Sequence, residues 1–191
     1  RRLGSLDGVG TIAMLSYALA FIYPLSILAA KPIALVIGPR YIRYMKTGDL
    51  ISAKYILLSS CGGLLFMTVS IASVIYGNAQ EVIEFILGGG EFDASVASVT
   101  GSLLKLAIWG LPAEAISRVL LVPLLNDGRM HAVSVIYSAR YILQMGLSYA
   151  LFNWIGRNGL IWSYVVAVGL QLLFEAGYLS YILGQKVSKP S

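Results

Sequence analysis

Five apolar runs divide the chain, each long enough to cross a lipid bilayer: Val9–Ile37, Ile56–Tyr76, Leu103–Leu125, Val133–Ile155 and Leu160–Leu183. An α-helix rises ~1.5 Å per residue, so about 20 apolar residues cover a hydrocarbon core of about 30 Å. Inside that core every backbone N–H and C=O must find a partner within the protein, which leaves only helices and closed barrels as spanning structures. None of the runs alternates with period two, and each is too long for a strand. The expectation is an all-α integral membrane protein with about five transmembrane helices. Only 12% of residues are charged and 58% are hydrophobic, against about 25% charged in an ordinary soluble domain. Pro24 and Pro32 interrupt the first run and predict a kinked or broken helix there.

Loop charges orient the spans. Arg40, Arg43, Lys46 and Lys54 surround the first loop, Arg129 lies in the third, and Lys186 and Lys189 lie in the tail. The second loop carries Glu81, Glu84, Glu91 and Asp93 with no basic residue, and the fourth has only Arg157. The excess of Lys and Arg in cytoplasmic loops then makes 40–54 a cytoplasmic basic loop and 77–101 an external acidic loop. Within the latter, Ala79–Leu87 interleaves Glu81 and Glu84 with apolar residues, the pattern of a helix lying in the interface. Tyr41, Tyr44 and Tyr55 fit the inner interface with Tyr178 and Tyr181, and Trp154 and Trp162 fit the outer one. This frame puts the start of the first span outside. The chain opens on Arg1-Arg2 with no initiator Met or signal peptide, so it reads as one membrane-embedded lobe, residues 1–191, of a larger protein whose N-terminal lobe precedes it.

Several chemistries find no support. Cys61 is the only cysteine and His131, in a short turn, the only histidine, so neither a disulfide nor a Cys/His metal centre can be assembled. Gly88-Gly89-Gly90 lacks the Gly-Lys-Ser/Thr ending of a phosphate loop. No Ser/His/Asp set or carboxylate pair is spaced for catalysis, so the expectation is a protein that is not an enzyme, with no catalytic residue, no metal and no cofactor. The net charge of +5 is scattered among membrane-length runs rather than gathered into a stripe, which argues against nucleic acid as a partner.

The informative stretch is Gly88–Arg129. A glycine-loosened acidic loop leads to Asp93, a helix N-cap candidate, and the helix closes on Asn126-Asp127-Gly128. Midway, Pro112 frees a backbone carbonyl just before Glu114 and Arg118, two ionisable residues one helical turn apart. Such residues at membrane depth are rare and point to function. Spans three and four would form a hairpin about Asn126–Met130, which sets Arg118 level with Arg140 and Glu114 level with Gln144. The fifth span adds Gln171 and Glu175 on one face, and Lys31 in the first span lies at a comparable depth. Two readings compete. In one, Lys31, Glu114, Arg118, Arg140, Gln144, Gln171 and Glu175 line a hydrated cavity whose cations hold an anionic headgroup such as a diphosphate. In the other, the long basic side chains snorkel to the interface and Glu114–Arg118 is an internal structural pair.

Gly90-Glu91-Phe92-Asp93 before a helix, Leu111-Pro112 within it and Asn126-Asp127-Gly128 after it resemble the C-terminal lobe of MurJ/MviN-type lipid II flippases, of the multidrug/oligosaccharidyl-lipid/polysaccharide exporter superfamily. Tyr17-Ala18, Pro24, Pro39 and Gly48-Asp49-Leu50 fit the preceding helix and its loop in the same order. The stretch after Tyr17-Ala18, Leu19–Ile22, has no basic residue where lipid II flippases typically carry arginine, and His131-Ala132 replaces their threonine-proline. The resemblance implies two six-helix lobes around a central cavity, of which this chain holds most of one. It also implies a lipid-linked oligosaccharide as substrate, membrane lipids as surroundings and the bacterial cytoplasmic (inner) membrane as location. An O-antigen, capsular polysaccharide or drug exporter of the same superfamily stays open, as does a non-transporting structural subunit.

Overall fold

The computed structural model describes residues 11–87 and 94–188, with side chains over 16–86 and 98–185. Among the described residues seven α-helices follow one another: α1 (Thr11–Lys46), α2 (Leu50–Gly77), α3 (Ala79–Leu87), α4 (Ala94–Ala107), α5 (Leu111–Asn126), α6 (Met130–Ile155) and α7 (Arg157–Ser188). A single 3-10 turn, Ile108–Gly110, joins α4 to α5. No strand occurs among the described residues. The expected N-cap Asp93 and the triple glycine lie outside them.

Among the described residues, four stretches are long and apolar enough to cross a membrane: Ser16–Lys46, Leu50–Gly77, Ser98–Asn126 and Arg157–Gln185. The chain is a multi-pass membrane protein. The fifth expected span, α6, has 26 residues and is about 39 Å long at 1.5 Å per residue. Length is therefore sufficient, but Arg140, Gln144 and Asn153 together with its serines and tyrosines keep it outside the apolar set. The first span also departs from expectation. α1 is one helix that continues through Pro24, Pro32 and Pro39 to Lys46, well past the predicted end at Ile37. α1 packs against α5, α2 and α4, and its three prolines lie on the exposed side of the helix.

The packing has two apolar clusters. One collects Ala30, Ile37 and Tyr41 of α1, Leu57 and Leu64 of α2, Val119 and Leu124 of α5, and Ile182 of α7. The other collects Ala18 and Ile22 of α1, Ile75 of α2, Ile83 of α3, Leu104 of α4, and Ile161 and Tyr164 of α7. Tyr41 is buried in the first cluster. In α1, α2 and α7 the residues between the two clusters include the buried polar side chains Ser26, Thr68, Gln171 and Glu175. A polar layer thus separates the apolar halves.

Two close approaches fix the helices around this layer. α3 lies against α4 where Gly101 faces the backbone of Gln80, and a Cβ at Gly101 would sit 3.1 Å from the Gln80 Cα. At Gly110 the 3-10 turn meets the Tyr164 ring, and a Cβ there would come within 2.5 Å of Cε1. The α5–α6 connection is short, but it does not produce the expected side-by-side hairpin. α5 is already enclosed by α1, α2 and α7, so α6 swings away and packs chiefly along α7. Gly156, at φ 62° and ψ −143°, turns the chain from α6 into α7, a conformation that only glycine adopts cheaply.

Candidate functional site

α5 begins at Leu111 with Pro112 in its first turn, where the missing N–H costs no intrahelical bond. The 3-10 turn ahead of it therefore marks where the third span is interrupted. Glu114 is buried in the first turn of α5, and helical spacing puts Arg118 above it. Arg118 Nη2 donates to Glu114 Oε1 at 3.4 Å, and Arg118 Nε donates to Ser26 Oγ of α1 at 3.0 Å. The second Glu114 oxygen lies 3.0 Å from Arg140 Nη2 of α6, within ion-pair range but not aligned as a hydrogen bond. One carboxylate thus serves two guanidinium groups.

Arg140 extends the network into α7. Its Nη1 donates to Gln171 Oε1 at 2.8 Å, while Gln171 Nε2 donates to Ser117 Oγ at 2.9 Å and Glu175 Oε1 at 2.7 Å. The Arg140 guanidinium also lies over the rings of Tyr141 and Tyr164, at 5.6 and 5.7 Å from their centroids. Those ring faces attract a cation that has lost its water. Tyr164 in turn meets Tyr23 edge-on at 6.4 Å. Buried charge is tolerable only when paired and hydrogen-bonded, and here Glu114, Gln171 and the aromatic faces meet part of that need, with Arg140 Nε and Nη2 left without a hydrogen-bond partner.

The seven residues expected in the site divide into three groups. Glu114, Arg118, Arg140, Gln171 and Glu175 meet in one network. Gln144 is half-buried, with Oε1 shielded and lacking a hydrogen-bond partner among the described residues. Lys31 is exposed on α1 and makes no ion pair among the described residues. The expected rungs also shift, because Arg140 pairs with Glu114 and not with the level of Arg118. With α6 leaning on α7, the long Arg140 side chain reaches the carboxylate one turn away along α5.

The two arginines differ in access. The Arg118 side chain keeps 29% of its surface exposed, against 2% for Arg140 and 6% for Glu114. With Nε on Ser26 and Nη2 on Glu114, Nη1 of Arg118 has no partner among the described residues. Arg118 is therefore the more accessible cation of this network. Ser26, Ser117, Tyr23 and Tyr164 also belong to the network, and the sequence reading did not single them out. For Ser26, Ser117 and Tyr23 the available signal was a hydroxyl inside an apolar run, one or two positions from a proline or a charge, and Tyr164 had none. Such hydroxyls also bond their own helix, as Ser26 Oγ does in donating to the Tyr23 carbonyl at 2.7 Å.

Membrane-length helices packed about a buried, charge-bearing layer define a polytopic helical membrane protein with a polar interior. No protein-family model matches the chain. Over 112 residues, 58% of this chain, it is 29% identical to a Rhizobium tropici protein named "Probable lipid II flippase MurJ". It superposes on a solved structure of the lipid II flippase MurJ in an inward closed conformation, with TM-score 0.71 and 17% identity over 90% of this chain. The helices thus have the fold of part of such a flippase. The chain spans 21% of the length of the Rhizobium relative and 36% of the solved chain.

Proposed function

We propose that the chain is part of a flippase that carries a lipid-linked sugar precursor, a lipid II-type polyprenyl-diphosphate oligosaccharide, across the bacterial cytoplasmic membrane for cell-wall synthesis. On this reading the protein is a transporter and not an enzyme, the α1–α2 connection with its flanking Arg40, Arg43, Lys46 and Lys54 faces the cytoplasm, and the α2–α4 connection faces outward with α3 in the interface. The rest of the transporter supplies the facing wall of the cavity. The observation that carries the reading is Arg118, a partly exposed guanidinium set in a buried polar layer between two apolar cores. Its planar fork suits a phosphate oxygen pair, and low surrounding polarity strengthens the contact. The likeness in sequence and fold to lipid II flippases supplies the substrate class.

The test is complementation in cells depleted of their own flippase, with membrane abundance measured in parallel. Arg118→Ala in the full-length protein should abolish growth at near-normal abundance, since it removes a ligand contact and little apolar packing. Arg118→Lys should rescue in part, keeping the charge without the fork. Normal growth of Arg118→Ala at normal abundance would overturn the assignment.

A further inference from the structure

The flippase reading leaves Glu114 without a task, although it occupies the centre of the network. Its contact with Arg118 is long, at 3.4 Å, and its contact with Arg140, though 3.0 Å, is misaligned. Arg140 meanwhile has Nε and Nη2 both buried with no hydrogen-bond partner. The carboxylate is therefore stretched between two cations and saturates neither. A small rotation toward α6 would satisfy Arg140 and release Arg118, whose side chain is the more exposed of the two, at 29% against 2%.

We propose that Glu114 is a built-in competitor for the anion site at Arg118. It occupies the guanidinium when no ligand is bound and passes wholly to Arg140 when a lipid diphosphate arrives. The inference rests on the flippase reading above and adds a specificity-determining residue to it. An unpaired arginine in this layer would carry a large desolvation cost and would hold any anion tightly. A resident carboxylate offsets that cost and lowers affinity, so that a ligand must supply more than one charged oxygen to win the fork. A diphosphate does so bidentately, whereas a monovalent anion gains little over the carboxylate already present. Arg140 then acts as the acceptor of the displaced carboxylate. That role explains why a cation sits fully shielded beside the exposed one with part of its donor capacity unused.

The test uses the full-length protein in detergent with geranylgeranyl diphosphate as probe, affinity being read from the shift in intrinsic tryptophan fluorescence. Glu114→Gln removes the competing charge and should bind about two- to fivefold more tightly, the scale of a partly exposed ion pair. A residue that merely supports the fold would shift affinity the other way or leave it unchanged. Glu114→Asp keeps a negative charge for Arg140 while shortening the reach to Arg118, and should also tighten binding, by about threefold. If Glu114→Gln does not accumulate as folded protein, the aspartate variant decides. Adding Arg118→Ala to Glu114→Gln should erase the gain. If Arg118→Ala alone loses binding while neither Glu114 variant gains, the competitor role is overturned and the Arg118 site stands. If the parent and Arg118→Ala bind alike, the anion site itself is wrong, and the competitor falls with it.

Discussion

α5 turns Leu111, Ala115, Val119 and Leu124 fully away from the surface, whereas in the adjoining α6 the buried residue is Arg140. On α6, Ile142, Met145 and Trp154 are exposed at 71%, 75% and 89%. α5 is thus positioned as a soluble core helix would be, by side chains filling space between neighbours. α6 follows another rule. Lipid is as favourable for its apolar side chains as a protein core, so burying them supplies little drive. Its inward register is set by one charge that cannot face hydrocarbon and by that charge's contacts with Glu114 and Gln171. Helices that follow one another in the chain can therefore be specified by opposite kinds of residue.

The largest expected effect breaks the α6 side of this contrast. Arg140→Ala leaves Glu114 buried without its closer cation and Gln171 without its donor, a loss of about 3–5 kcal/mol for one partner of a buried pair. Thermal unfolding in detergent should show it as a markedly lower midpoint. Arg140→Met combined with Glu114→Gln, which removes both charges, should recover much of that stability. A single variant that melts with the parent would mean that α6 is held by its contacts along α7 alone. A smaller effect belongs to the α5 side. Gly110→Ala brings a methyl against the Tyr164 ring, and crowding of this kind costs about 1–3 kcal/mol. The same melting assay should show it, and Tyr164→Phe should not relieve it because the clash lies at the ring edge. The smallest effect lies outside both helices and sharpens the comparison as a control. Asp49 caps α2, accepting from the Ser52 N–H at 3.0 Å, and hydrogen bonds from the Ser52 side chain and backbone hold its carboxyl below the usual range. A lowered folded-state value means that its contribution is complete above the unfolded value near 4 and fades as pH falls through the folded one. Asp49→Asn should therefore flatten the parent's melting temperature across that acid window and leave the Arg140 effect unchanged.

The helical membrane class and the meeting of Glu114, Arg118, Arg140, Gln171 and Glu175 in one network were legible in the sequence, because an ionisable group in a long apolar run has few places to go. Of the five expected spans, however, α6 falls outside the four apolar ones. The partners within the network were not legible. Counting residues from a turn gives depth only when the two helices run side by side, and α6 does not run beside α5. Lys31 shows the same limit: its depth matched the cluster, but the face of α1 it occupies depends on which side packs on α5. Pro24 and Pro32 were legible as interruptions of hydrogen bonding, yet whether a helix breaks there depends on its neighbours. The 3-10 turn before Pro112 was foreshadowed by the proline, while the approach of Tyr164 to Gly110 joins residues far apart in the chain.

The turn at Gly156 also bears on how the protein reaches the membrane. α6 on its own would be a poor substrate for the insertion machinery, since an arginine at mid-helix costs about 2.5–3.5 kcal/mol on insertion scales. Only the Gly156 turn separates it from α7, which is apolar enough to enter unaided. The two segments are therefore suited to leave the translocon as one hairpin, with Gln171 already opposite Arg140. During synthesis α7 would act as the chaperone of the helix before it, and α6 would commit to the bilayer only after the ribosome has moved well beyond it.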